Sequence, residues 1–458
     1  MVKDINPFDQ GVITGFINFG TLSKNFTMHT RFLFPYGFLF VLLVVAVQCK
    51  TSSEKKITDI KAFVGATLID GTGSAAIDPA VMLVANGEII AAGPSDSINI
   101  PPSAEIIQLE GKTIMPGIIN THGHIGGTTG LQSGYSKENV LRDLMLNAQY
   151  GITTVNSLGG DENESFDVRN SQDTLKKLSI SRLYVAGDVI TGNTPEEARA
   201  LVDKNAARKA NFIKIRVDDN LGTTEKMRPE IYEAIIDQAK KHNLPVAAHI
   251  FYLEDARAML NLGVRFIAHS VRDKEVDEPF IELMKKSNAY YCPTLMREVS
   301  TFVYEGTPDF FNDPFFLRAA DSTIINKLSD PARQARVKAS KSAQAYKQAL
   351  EVAKKNLKIL ADAGVKIAFG TDTGPPARFQ GYFEHLELEQ MVQAGLSPAQ
   401  AIHAATGGAA EAIGQGQLGI LKPGNKADFL VLEKNPLNDI GNTRSILSVW
   451  IGGGNIQE

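Results

Sequence analysis

The sequence predicts an α/β protein: a (β/α)8 TIM barrel carrying a small β-sandwich built from both ends of the chain. Three observations predict it. From about Pro116 to Gly416, apolar runs rich in β-branched residues alternate with helical stretches, and eight of the runs have strand character. Turn-punctuated apolar runs precede this region, with Asn86-Gly87 between two of them as a hairpin signal, and the same pattern returns after it. At 458 residues the chain has length for a barrel and a second module.

Residues 1–55 read as an N-terminal extension, a signal-type segment and a linker. The apolar run from Phe32 to Val47 follows a short basic start at Met28; it is short for a membrane-spanning helix and suits the core of a secretory signal. Export is therefore expected, with retention of the run as an uncleaved membrane anchor as the alternative. Residues 56–115 form the first part of the sandwich, in "AFVGATLIDGTG", "AVMLVANGEIIAAG" and "AEIIQLEGKTIMPG".

Residues 116–416 form the barrel, with strands "GIINTHGHI", "GITTVNSL", "SRLYVAGDVI", "NFIKIRV", "PVAAHIF", "RFIAHSV", "AYYCPTL" and "KIAFGTDT". Helices such as "EIYEAIIDQAKKHN" and "QALEVAKKNLKILADAG" lie between them, the second stopped by Gly364. Residues 301–347 exceed the needs of a βα connection and read as an insertion after the seventh strand, on the face where barrel active sites are built. A substrate-covering lid and an oligomer contact both fit it, so a homo-oligomer stays open. Residues 417–458 return to the sandwich through "GILKPGNKADFLVLEKNPL" and "ILSVWIGGGNI".

A formal charge of −4 lacks the basic stripe that nucleic-acid binding requires, so a small molecule or a dipeptide is the expected partner. The two cysteines, Cys49 and Cys292, supply neither a disulfide framework nor a cysteine-based zinc site.

The chemistry is concentrated at strand ends. His122 and His124 in "GIINTHGHIGG" project to the same side of a strand, a spacing that suits two imidazoles on one metal ion and equally two histidines hydrogen-bonded to backbone. His249, His269 and Asp372 fall at the ends of the fifth, sixth and eighth strands, and Lys214 lies within the fourth. Barrel closure brings these ends to one mouth. Lys214 stands among β-branched apolar neighbours, where an unpartnered ammonium is costly. A neutral lysine can add carbon dioxide, and the resulting carbamate could bridge two cations.

With these motifs assembled, the sequence resembles the amidohydrolase superfamily, and within it the imidazolonepropionase-like and prolidase-like metal-dependent hydrolases. "MPGIINTHGHIG", "GITTVNSLGG", "FIKI", "VAAHIF", "FIAHS", "GTDTG", "AIHAATGGAAEAIG" and "LGILKPGNKADFLVLEKNPL" carry the resemblance. It implies two divalent ions, zinc by family habit and ligand chemistry. His122 and His124 would hold one, His249 and His269 the other, with carboxylated Lys214 bridging them. Asp372 would bind the first ion beside a bridging hydroxide and act as the general acid–base in hydrolysis of an amide bond.

Single-metal members of the superfamily carry a glutamate three residues after the fifth-strand histidine, where this chain has Tyr252. That departure favours the binuclear branch and an exported dipeptidase or acylase. Hydrolysis of cyclic amides, lactones or esters is the enzymatic alternative, and a tethered binding protein without catalysis is the non-enzymatic one. Cys49 after "VVAVQ" resembles the lipidated cysteine of bacterial lipoproteins, which would give a periplasmic or cell-surface location, although Gln48 departs from that motif. His385 and Tyr252 are expected near substrate, while His242 reads as a helix-end residue and His403 as structural.

Overall fold

The computed structural model describes residues 59–129, 131–172 and 179–457. The Phe32–Val47 run and Cys49 lie outside the described residues. Among the described residues no helix is long and apolar enough to cross a membrane.

Strand Lys61–Leu68 pairs antiparallel with Ile77–Ala85, which turns back into Glu88–Pro94. The turn is the Asn86-Gly87 pair, with φ of 53° and 80°; positive values at both central residues match the right-handed twist of the flanking strands. Thr113–Pro116 runs parallel to Lys61–Leu68 and antiparallel to Phe429–Leu432, which in turn pairs with Ile446–Ile451. The two chain ends thus meet in one eight-stranded sheet. The strands pair continuously, and Glu105–Gln108 and Thr113–Pro116 follow each other along the same edge of Lys61–Leu68. Alternation along the strands buries both faces: Phe63, Phe429 and Trp450 pack edge-on or stacked on one side, and Ala62, Val81 and Leu83 cluster on the other.

The central region is α/β with parallel strands. Ile118–Gly123, Ile152–Ser157 and Arg182–Val185 pair in one run. Val189–Ile190, Ile213–Arg216, Val246–His249, Phe266–Ala268, Tyr290–Cys292 and Lys366–Ile367 pair in another. Each of the eight sequence-nominated runs contains one of these strands, the third being broken around Gly187. Main-chain hydrogen bonds continue past the strand ends: Ala186 N donates to Ser157 O at 3.0 Å and Asn211 N to Val185 O at 2.7 Å. On the other flank, Ala368 N donates to Tyr291 O at 2.9 Å, Thr121 N to Phe369 O at 3.0 Å and His124 N to Thr373 O at 2.8 Å.

The nominated helices form as Pro229–Lys241 and Lys341–Asp362, the latter followed by Gly364 at φ 77°. The 301–347 segment has less sharp borders than expected. Helix Leu295–Phe302 runs into it, and its last residues are the first turns of Lys341–Asp362. Its aromatic residues are pinned to the loop and helix after the eighth strand. Phe316 meets Phe379 at 4.9 Å between ring centroids, Phe310 packs against Phe383, and Tyr304 Oη donates to Ala377 O at 2.6 Å.

Candidate metal centre

His122, His124 and Asp372 each present a ligand atom within 4.8 Å of the other two. The strand Ile118–Gly123 carries His122, and His124 follows directly after its end, while Asp372 arrives from the eighth run with its amide donating to His122 O at 2.7 Å. His124 Nε2 meets Asp372 Oδ1 at 2.8 Å, and His122 Nε2 lies 3.4 Å from the same oxygen. Lys214 Nζ lies 3.0 Å from His122 Nε2. The His122 ring is 4.6 Å from that of His269, which is 4.0 Å from that of His249. All six side chains singled out in the sequence therefore form one continuous cluster.

Outer contacts aim the rings. His124 Nδ1 is 2.9 Å from Gly159 O, and His269 Nδ1 is 2.6 Å from Thr294 Oγ1. His269 Nε2, His249 Nε2 and His122 Nδ1 are buried and have no hydrogen-bond partner among the described residues. An orphaned imidazole nitrogen is costly in a dry interior; a cation would remove that cost at His269 Nε2, while His249 Nε2 has the Asp218 carboxylate 3.5 Å away. Burial, with Lys214 as the next contributor for His122 and neighbouring His249 for His269, holds both of these rings well below the usual histidine range. Burial takes His249 down to about 3 even against the pull of Asp218. Neutral imidazoles are the protonation state that binds metal.

Burial pushes Lys214 down to about 8, against the nearby Asp372 carboxylate. For Asp372, burial works toward a higher value, but the Arg378 guanidinium and the His124 hydrogen bond outweigh it and hold the carboxyl well below its ordinary range. Two residues of the cluster, His269 and Asp372, have φ of 73° and 59°, and Thr294, the hydrogen-bond partner of His269, has φ of 47°. Left-handed backbone at non-glycine residues is uncommon, and strain of this kind gathers at functional sites.

His385 departs from its expectation. It is fully buried, with Nδ1 2.9 Å from Thr443 Oγ1 and Nε2 2.8 Å from Tyr150 O, so neither nitrogen is left for substrate. Tyr252 caps helix Leu253–Asn261; its hydroxyl donates to Asp219 at 2.8 Å and Lys226 lies over its ring. His242 ends a helix beside Asp203, and His403 contacts Gly71 O, as expected of them.

Four contributors escaped the sequence reading. Arg378 pairs with Asp372 Oδ2. Asp218 faces His249. Glu384 is buried behind the ends of the first and eighth runs, its Oε1 within reach of Asn120 Nδ2 at 2.7 Å and Thr373 Oγ1 at 2.6 Å. Glu387 accepts from Leu295 N at 2.8 Å and Met296 N at 2.6 Å. The "VDD" following the Lys214 strand was a usable signal for Asp218; the glutamates sit in an ordinary-looking helix sequence.

The sequence pattern of the amidohydrolase family matches residues 113–456. This chain belongs to the amidohydrolase family. Among its relatives is an ochratoxinase of Aspergillus niger, 31% identical over 282 residues; the match covers 58% of this chain and 51% of that protein, about half its length. An imidazolonepropionase of Geobacillus kaustophilus is 25% identical over 391 residues, covering 76% of this chain and 82% of the relative. A prolidase-type structure from Bifidobacterium longum superposes with a TM-score of 0.70 at 26% identity, covering 88% of this chain and 95% of that one.

Proposed function

We propose that this amidohydrolase-family chain is a binuclear metal-dependent hydrolase of the amide bond in dipeptides or N-acyl amino acids. The observation that carries the reading is the single cluster of four imidazoles, Lys214 and Asp372, in which His122, His124 and Asp372 bring ligand atoms within 4.8 Å of one another and buried His269 Nε2 has no partner among the described residues. The similarity to a prolidase-type structure over most of both chains supports the substrate class. The main-chain bonds that join Thr121 to Phe369 and Val185 to Asn211 support closure of the eight parallel strands into a barrel.

In this reading His122, His124 and Asp372 would hold one ion, and His249 and His269 the second. Lys214, as the carbamate, would supply a further anionic donor between them. When bound, two divalent ions, zinc by the nature of the donors, supply Lewis acidity toward the scissile carbonyl and toward the attacking water. Carbamate formation is a reaction of the neutral amine: Nζ bonds to the carbon of carbon dioxide and releases a proton. Burial makes that amine accessible near neutral pH.

Asp372 is a carboxylate kept ionised, so it can take the proton from the attacking water and deliver it to the departing amine nitrogen. Arg378 fixes one of its oxygens and His124 the other, which limits rotation during the transfer. Tyr252 stands at the start of the helix after the His249 strand, with its hydroxyl on Asp219, so any part it takes in substrate binding would go through that pair.

The test is amino-acid release from a library of dipeptides and N-acyl amino acids by zinc-reconstituted protein. Chelator-sensitive hits sharing one residue type establish the activity and its specificity. Silence from protein shown to hold two metals rejects the peptide and acyl substrates and moves the search to cyclic amides, lactones and esters.

A further inference from the structure

Asp218 lies just beyond the strand Ile213–Arg216 that carries Lys214, two residues past Arg216. Its side chain is wholly buried. Arg216 Nε donates to Oδ1 at 2.8 Å, so one carboxylate oxygen has its partner. The other, Oδ2, lies 3.5 Å from His249 Nε2, and neither of these two atoms has another hydrogen-bond partner among the described residues. A buried carboxylate oxygen needs a donor, and the His249 imidazole nitrogen faces this one at 3.5 Å.

An Nε2–H directed at Asp218 leaves the lone pair of His249 on Nδ1. His124 and His269 follow the complementary pattern: each has Nδ1 engaged by the protein, by Gly159 O and Thr294 Oγ1, which leaves Nε2 as the ligand atom. His249 is the one ring of these three turned the other way, and the one whose outer partner is a carboxylate. We propose that Asp218 is the positioning residue of the second metal site, holding His249 in the tautomer and orientation that offer Nδ1 to the ion. The inference rests on the binuclear reading above. Carboxylate partners of metal-bound imidazoles raise ligand basicity and fix ring orientation, and their loss weakens metal affinity by roughly 10- to 100-fold.

The experiment titrates Co2+ alone into the metal-free full-length protein against a competing chelator, following the visible absorption of the bound ion, with thermal unfolding of the metal-free protein alongside. Asp218→Asn is expected to weaken one of two Co2+ sites by about 10- to 100-fold, with the other site and the metal-free unfolding midpoint unchanged. Asp218→Glu restores part of the affinity. Arg216→Met leaves Asp218 in place but removes the contact that aims its second oxygen, so it gives a smaller loss at the same site and keeps the test available should Asp218→Asn fail to fold. Wild-type affinities at both sites in Asp218→Asn and Arg216→Met overturn the proposal. So does equal weakening of both sites accompanied by a lower unfolding midpoint, which marks a purely structural residue. The binuclear reading fails separately, and takes this inference with it, if the wild type binds fewer than two Co2+ or if His249→Asn leaves the stoichiometry unchanged.

Discussion

Glu384 and Glu387 stand one turn apart on helix Tyr382–Gln393, both fully buried, and each braces one half of the centre by a different kind of bond. Glu384 works through side chains. Its Oε1 gathers Asn120, Thr371 and Thr373 from the two strand ends that carry His122 and Asp372, and Asn120 in turn accepts from the His122 amide at 3.0 Å. Glu387 works through main chain, capping helix Leu295–Phe302, which begins at Thr294, the partner of His269. That helix start has no cap from its own Thr294 side chain, which is engaged with the histidine instead. One half of the centre is thus held by a polar network between strands, and the other by the placement of a helix end.

The largest effect is expected where the chemistry itself is removed. Asp372→Asn should lower kcat by about 10²- to 10⁴-fold with near-native circular dichroism, and activity within a few-fold of wild type would remove Asp372 from the proton-transfer role. Next is the strand network. Glu384→Ala takes the acceptor away from buried Asn120 and Thr373, and at about 1–3 kcal/mol for each unsatisfied donor the protein should lose about 3 kcal/mol in denaturant unfolding. A loss confined to metal affinity, with stability intact, would contradict the bracing role.

The helix-start half is expected to respond more locally. Thr294→Val keeps the side-chain volume but removes the hydroxyl beside His269 Nδ1, and should weaken metal binding at one site by about 10- to 100-fold while the unfolding midpoint moves little. Equal weakening at two sites would mean that the halves are not independent.

The smallest effect is a slope against pH. Burial raises Glu387 to about 8 from its ordinary 4.5, with the neighbouring Glu384 and Glu298 charges pushing the same way against its backbone hydrogen bonds. The folded state therefore holds this proton more tightly than the unfolded state. That contribution is complete below about pH 4.5 and is lost as pH rises through about 8. Glu387→Gln should flatten the decline in melting temperature between pH 5 and 9, and an unchanged slope would show that Glu387 does not titrate in this window.

The sequence carried the candidate ligands because each obeys a local rule. His122 and His124 share a strand face by their spacing, and His249, His269 and Asp372 mark strand ends next to chain reversals. The bracing residues obey no local rule. Glu384 and Glu387 lie in "YFEHLELEQMVQ", where glutamates normally mark a solvated face, yet this helix is buried on most sides. The same burial explains His385: closeness in sequence to the eighth-strand loop suggested the mouth, while the helix turns that ring toward Tyr150 and Thr443. The chain-end sheet was readable as β-structure from its hairpin signal. Its single continuous pairing was not, because two strands sharing one edge of Lys61–Leu68 is a matter of register, which alternation alone leaves open.

The strand Phe429–Leu432 lies between Thr113–Pro116 and Ile446–Ile451, so this sheet joins segments that the whole α/β region separates in sequence. Without that pairing, Thr113–Pro116 keeps an open apolar edge directly ahead of Ile118–Gly123, the strand that leads into the candidate metal centre. A chain cut before Phe429 would keep His122, His124, Lys214, His249, His269 and Asp372 but lose the strand that covers this edge. The strand pairing of longest sequence separation in the sheet is therefore the one whose loop closure costs most and that forms slowest.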